Sequence, residues 1–260
     1  MNFEAIIYEK KDNVAWITLN RPKVLNAQNE TMLTELTKCL EDARDDDNVY
    51  VMVITGSGDK AFCAGADQDM LLVWTPMDVI KKYKGGIRPY FLIRDIPKPV
   101  IAMVNGFAFG GGCEVALWCD IIIASENAQF GQLEINVGLI PGGGGSQLWP
   151  RLVGEKKARE LIYTGDIISA QEALRLGVVN QVVPQDKLRE ATEKFIGKLK
   201  KKSPAILRLA KMAINKSLDE PLISGREGEL DLFALAFGTE DQKEGARAFL
   251  EKRAPNYKGK

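Results

Sequence analysis

Apolar positions recur along this chain in two periods, and the alternation of the two predicts an α/β fold. Residues 3 to 9 and 13 to 19 read as strands, with Asp12 and Asn13 in the turn between them. Asn20, Arg21 and Pro22 stop the second strand, because proline has no N–H to give to a ladder. Over residues 29 to 45 the period becomes that of a helix: Met32, Leu33, Leu36, Leu40 and Ala43 share one face, and the remainder is strongly charged. Three short apolar runs, residues 50 to 55 (YVMVIT), 99 to 104 (PVIAMV) and 120 to 124 (DIIIA), have the composition of buried strands. Ser169 to Glu172 reads as a capping box opening a short helix that ends at Gly177, and residues 178 to 183 as a further strand. Beyond Pro184 the strand signal stops. Residues 186 to 202, 204 to 218, 226 to 237 and 240 to 251 all read as helices. The expectation is an α/β core over residues 1 to 200, with parallel or mixed pairing, and a helical region over residues 201 to 260.

Composition narrows the function. With 260 residues, 45% of them hydrophobic, the chain can bury a sizeable core. Its 35 basic and 35 acidic side chains balance, which gives no general attraction to nucleic acid or to an anionic membrane. The one basic run, Lys198 and Lys200 to Lys202, closes a predicted helix, where cations complement the macrodipole. The opening residues lack the basic-then-apolar pattern of a secretory leader, and no run reaches the ~18 apolar residues of a membrane span. Cys39, Cys63, Cys113 and Cys119 show no CxxC spacing; reduced thiols in a cytoplasmic protein are expected, rather than a disulfide frame or a zinc site. The most restrictive number is zero histidines. It excludes Ser-His-Asp and Cys-His nucleophile systems and histidine-ligated metals, so acid–base work falls to carboxylates, Lys, Tyr or Cys.

That absence draws attention to residues 105 to 145, where glycine clusters at Gly110 to Gly112 and Gly142 to Gly145 bracket Glu114 and Glu134 in largely apolar surroundings. Neither cluster has the GxGxxG or GK[ST] pattern of a nucleotide site. The first leads into a predicted helix, CEVALW, whose unsatisfied first amides make the Gly111 N–H a candidate oxyanion donor. Glu114 is equally well read as a first-turn glutamate complementing the helix dipole. A second loop, residues 61 to 67 (AFCAGAD), follows the YVMVIT strand and also suits close backbone approach; Asp67 reads there as a cap, and Cys63 as an inert core thiol. Trp74, Tyr83, Tyr90 and Phe91 are either core or pocket wall.

The segments AFCAGAD, NGFAFGGGCEVALWCD, FGQLEINVGLIPGGGGSQ and YTGDIISAQEALRLGVVNQVVP, in this order and spacing, resemble the crotonase family, and within it the enoyl-CoA hydratases. The likeness runs from NRPKVLNAQN to FLEKRAPNYKGK. It implies a spiral of ββα units backed by a helical trimerisation region. It implies that the backbone N–H groups of Ala66 and Gly111 hold a thioester oxygen, that Glu114 and Glu134 are the catalytic carboxylates, and that Gly142 N–H helps hold the water. Ala64, Asp67 and Trp74 would touch substrate; Lys252 and Tyr257 would lie near the nucleotide end of CoA across a subunit edge. The implied partners are an acyl-CoA thioester and further copies of the chain, as a homo-trimer or hexamer, with no nucleic acid and no membrane. No metal and no cofactor is implied, CoA being part of the substrate. Leu133 stands where the family often has proline.

Two glutamates together imply hydration of a 2-enoyl-CoA in fatty acid metabolism, or the reverse dehydration of a 3-hydroxyacyl-CoA. The alternatives are a Δ3,Δ2-enoyl-CoA isomerase with Glu134 as the shuttle, a hydratase for a cyclic dienoyl-CoA, or a CoA-binding or RNA-binding member without turnover. Residues 68 to 95 would wall the acyl pocket, and their pattern assigns no acyl group.

Overall fold

The computed structural model describes residues 3 to 85 and 89 to 260. The chain enters through an antiparallel hairpin of β1 (Ile6–Lys11) and β2 (Val14–Leu19). Asp12 and Asn13 both take positive φ, the backbone of a two-residue turn that matches strand twist. The first strand starts at Ile6, later than expected. The amides of Glu4 and Ala5 are taken instead by the Glu35 carboxylate, at 2.9 and 2.8 Å. Glu35 lies on α1 (Glu30–Asp45), which is capped by Asn29 and buries the predicted apolar face together with Cys39.

From there a unit recurs: a long strand, a sharp corner, a short strand, then helix. β3 (Val51–Gly56) turns into β4 (Ala61–Cys63), followed by α2 (Gln68–Val73), α3 (Pro76–Gly85) and α4 (Pro89–Asp95). β5 (Val100–Val104) turns into β6 (Phe107–Phe109), followed by α5 (Gly111–Trp118). β7 (Ile121–Ser125) turns into β8 (Gln129–Gly131), and a 3₁₀ turn over Glu134–Val137 leads to α6 (Gly145–Val153) and α7 (Glu155–Thr164). β9 (Ile168–Ser169), α8 (Ala170–Arg175) and β10 (Gln181–Val183) close the series. The long strands form one sheet in the order β1-β2-β3-β5-β7-β10, parallel after the hairpin. The short ones form a second, β4-β6-β8-β9. This is the expected spiral of ββα units.

The corners explain themselves. A Cβ on Gly56 would stand 2.3 Å from the Ala61 carbonyl oxygen, and one on Gly106 only 2.1 Å from that of Lys60. Only glycine lets the chain step from one sheet to the other so tightly. Asn105 fastens the step, its amide donating to the Gly56 and Gly58 carbonyls and accepting from Gly56 N–H.

The large sheet is covered on both faces over β2, β3, β5 and β7, which is why those strands are apolar without alternation. One face meets α1, α4 and α5. The other packs Val14, Trp16, Val51, Val53, Ile101 and Ile123 against Leu188 and Ile196 of α9 (Leu188–Leu199). Three helices follow: α10 (Pro204–Asp219), α11 (Leu222–Ala236) and α12 (Glu240–Leu250). α11 starts earlier than its pattern suggests, directly after Pro221. The tail after α12 is held by buried Asp241, which accepts from Ser203 Oγ and from the amides of Lys258 and Gly259. The helices α2, α3, α4 and α7 and the short strands β4, β6, β8 and β9 have no counterpart among the elements that the pattern predicts. The strand expected over residues 178 to 183 is confined to its last three, because Val178 and Val179 are buried beneath the end of α8. Among the described residues no helix is long and apolar enough to cross a membrane.

A buried cation helps to join α10 to the core. Lys211 donates to the carbonyls of Ile93 and Lys98, at 3.0 and 3.2 Å, and to the Asp120 carboxylate at 2.8 Å. Lys211→Met keeps the bulk of the stem and strips all three acceptors of that donor. It is expected to cost about 3 kcal/mol, read as a lower urea midpoint at fixed protein concentration.

Candidate active site

Two loops meet where the second sheet ends. After β6 the chain turns through Gly110, at φ +49°, into α5. After β4 it passes through Gly65, at φ +102°. A Cβ on Gly65 would stand 3.0 Å from the Phe109 carbonyl oxygen and 3.7 Å from Gly111 N, so the loops touch backbone to backbone. α5 itself comes as close: a Cβ on Gly112 would stand 2.2 Å from the Cys63 carbonyl oxygen.

Ala66 forms a parallel bridge with Gln28. Gln28 N–H donates to Gly65 O at 2.8 Å, and Asp67 N–H donates to Gln28 O at 2.9 Å. In a parallel bridge the residue between those two bonds turns its own N–H to the opposite side. The amide of Ala66 is thereby turned away from Gln28, and neither it nor the amide of Gly111 has an acceptor among the described residues. Unpaired N–H groups in such a place are ready to receive a ligand oxygen.

Glu114 lies on the first turns of α5 and is 2% exposed. Its Oε1 accepts from the amides of Gly143 and Gly145, both at 2.8 Å. Burial pushes this carboxyl above its ordinary value, against the opposing pull of the glycine amides. The glycine run after Pro141 is thereby accounted for. A Cβ on Gly143 would stand 2.6 Å from Glu114 Oε2, and one on Gly144, at φ +115°, would stand 2.6 Å from the Trp118 ring. Trp118 also donates to Gly143 O at 2.5 Å. Gly143 to Gly145 thus do more than turn the chain into α6.

Glu134 opens the 3₁₀ turn and is half-buried. Its Oε1 lies 3.3 Å from where a Cβ on Gly110 would be, so the carboxylate sits over the residue preceding the Gly111 donor. Burial pushes it up to about 7; its own backbone amide opposes the rise and the charge of Glu114 adds to it. Gln132 is a site residue that sequence reasoning missed. With its amide oriented to satisfy its neighbours, it donates to both Glu134 oxygens, at 3.0 and 3.1 Å, and accepts from Trp149 Nε1 at 3.2 Å. That donation favours the ionised form and works against the rise. Nothing in the sequence marks it, because its burial and its contacts exist only in the fold.

The other predicted residues are distributed unevenly. Ala64 is in the Gly65 loop, its N–H bonded to Leu25 O. The Asp67 carboxylate pairs with Arg21 at 2.9 Å and caps α2, a structural engagement. Trp74, at the end of α2, donates to Glu30 at 3.2 Å with Lys82 over its ring. Gly142 is exposed, immediately before Gly143. Lys252 and Tyr257 lie with α12 and the tail, Tyr257 against Gly245, and no contact among the described residues joins them to Glu114 or Glu134. Tyr90 is buried at the site wall, whereas Phe91 is exposed and packs on Trp118. The Tyr83 side chain and residues 86 to 88 lie outside the described parts. Cys63 is fully buried and its thiol is pushed up to about 12, consistent with the inert reading. Among the described residues no group of three His, Cys, Asp or Glu is arranged to hold a metal ion.

The family model described as "Enoyl-CoA hydratase/isomerase" matches residues 9–260. The chain is 44% identical over 257 residues to the crotonyl-CoA hydratase of Syntrophomonas wolfei, covering 99% of each. It is 44% identical over 260 residues to the mitochondrial enoyl-CoA hydratase of Pongo abelii, covering 99% of this chain and 89% of that one. The crystal structure of enoyl-CoA hydratase from Bacillus anthracis superposes with a TM-score of 0.92 at 38% identity, covering 99% of this chain and 100% of that one.

The raised Glu134 value has a measurable consequence for stability. Its ordinary value of 4.5 applies to the unfolded chain, and the folded value is about 7. Between those limits the folded state keeps a proton that the unfolded state has released, so stability falls as pH rises through the window. Glu134→Gln removes this contribution. Urea midpoints taken from pH 5 to pH 8 are expected to decline less steeply in the variant than in the parent.

Proposed function

The chain belongs to the enoyl-CoA hydratase/isomerase family, the crotonases, and from this we propose that it adds water reversibly across the 2,3 double bond of a 2-enoyl-CoA through Glu114 and Glu134. The observation that supports these roles is the Glu134 carboxylate lying over Gly110, next to the unpaired Gly111 N–H, with Glu114 near enough for its charge to raise it.

The thioester oxygen accepts from Ala66 N–H and Gly111 N–H. These donors are fixed before the reaction and gain strength as the carbonyl takes on enolate charge. A water lies between the carboxylates. Glu114, whose charged form two glycine amides favour, takes a proton from the water as its oxygen bonds to C3. The electron pair of the double bond passes into the thioester, and Glu134, protonated near neutral pH, gives its proton to C2. Glu114 then holds a proton and Glu134 has lost one; exchange through solvent restores both. Dehydration of a 3-hydroxyacyl-CoA runs the same steps in reverse. Gly142, one residue before the amide that holds Glu114, is the proposed additional donor to the water.

No cofactor beyond the CoA of the substrate enters this scheme. Lys252 and Tyr257 are assigned to the nucleotide end of CoA bound by a neighbouring copy, which accounts for their separation from the carboxylates within one chain. A homo-trimer or hexamer built on residues 201 to 260 is supported by exposed Leu222, Ile223, Leu230 and Phe233 on α11. Four free, buried cysteines support a cytoplasmic setting.

Glu114→Gln and Glu134→Gln, tested separately on crotonyl-CoA by loss of the conjugated thioester absorbance, are each expected to lower kcat by roughly 10²- to 10⁴-fold with KM little changed. A parent rate in either variant overturns the two-carboxylate scheme. In the parent, kcat/KM for hydration is expected to fall as pH rises above about 7, because the acid form of Glu134 is lost.

A further inference from the structure

We propose that Gln28 and Tyr90 form a positioning pair that sets the spacing of the two backbone donors, Ala66 N–H and Gly111 N–H, and thereby the polarisation of the bound thioester. The proposal rests on the hydratase reading above.

Gln28 bonds to both donor loops at once. Its main chain takes the neighbours of Ala66 on either side, Gly65 O at 2.8 Å and Asp67 N at 2.9 Å. Its side-chain amide donates to Gly111 O at 3.3 Å. The remaining amide oxygen accepts from the Tyr90 hydroxyl at 2.8 Å. Gln28 and Tyr90 are each 2% exposed. The fit leaves little slack: a Cβ on Gly111 would stand 2.5 Å from Gln28 Oε1 and 2.9 Å from the Tyr90 hydroxyl. The Tyr90 ring reaches further, with Cζ 3.0 Å from where a Cβ on Gly143 would be. Tyr90 therefore stands between the donor loop and the loop that holds Glu114.

A buried amide and phenol stabilise a fold less readily than apolar side chains of similar size, because each polar group must keep its partner. What they add is direction. An apolar residue at position 28 would fill the space without fixing the Gly111 peptide relative to Ala66. Gln28 bonds the Gly111 carbonyl, and Tyr90 fixes which way the Gln28 amide faces. An oxyanion hole works only when both donors aim at one oxygen, and small misplacements are costly. Neither residue reaches a reacting atom in this scheme, so both act through the backbone they hold.

The test uses Gln28→Leu, Tyr90→Phe and the double variant. Crotonyl-CoA kinetics are combined with the absorption spectrum of bound para-dimethylaminocinnamoyl-CoA, whose push–pull band moves to longer wavelength as its carbonyl is polarised. Each single variant is expected to lose about tenfold in kcat with less than a twofold change in KM, and to show a smaller red shift of the bound probe. The double variant is expected to fall close to Gln28→Leu alone, because the pair acts as one unit. A variant that is less stable but keeps the parent kcat and the parent probe spectrum overturns the proposal and leaves a structural role only. Should Gln28→Leu fail to fold, Tyr90→Phe, which keeps the ring, decides by the same two readouts. A parent that binds the probe but turns over no enoyl-CoA overturns the hydratase reading instead, a result distinct from failure of the pair.

Discussion

The structure depends on how closely one stretch of backbone can approach another. The start of α5 lies against β4 because Gly112 has no Cβ to strike the Cys63 carbonyl, and the Gly65 loop lies against Gly111 for the same reason. The corners at Gly56 and Gly106 extend this close approach into the scaffold, where each long strand hands over to a short one within a few residues. Side chains then do comparatively simple things. They fill the two faces of the large sheet, and they cap or tether the helices.

Electrostatics at the site follows from that packing. Glu114 is buried because α5 is pressed into the core, and its charge is tolerated because two glycine amides of the next loop point at it. Glu134 sits at the edge of the same region, where burial raises its carboxyl into the neutral range. The two carboxyls differ in their surroundings rather than in their chemistry. One has fixed amides at its oxygen; the other has a single glutamine side chain, itself anchored on Trp149. Such a difference in environment is what separates a base from an acid.

Much of this was legible in the sequence, for reasons that differ by element. The long strands announce themselves because both faces of the sheet are covered, so β3, β5 and β7 are unbroken apolar runs. α1 shows its apolar stripe because one side faces water. The short strands β4, β6 and β8 have three residues each, too few to display a period. α2 and α3 expose apolar residues such as Leu72, Val73 and Ile80, which blurs the contrast between faces. At the site, the absence of histidine singled out Glu114 and Glu134, and the motifs pointed to Ala66 and Gly111. Gln28 and Gln132 escaped notice because an isolated glutamine has no sequence signature, and its meaning lies wholly in what it touches. The roles of Gly143 and Gly145 were hidden for a related reason: a backbone amide leaves no mark in the amino-acid alphabet.

That last point bears on how such a site tolerates change over generations. The groups that would face the thioester oxygen, and those that hold Glu114, are peptide N–H groups carried by Ala66, Gly111, Gly143 and Gly145. No substitution other than proline can delete a peptide N–H. Damage here arises by gaining atoms, through a methyl group intruding where glycine left room, more than by losing a functional group. The helices α2 to α4 carry none of these amides, so substitutions among their exposed apolar side chains leave every one of those donors in place.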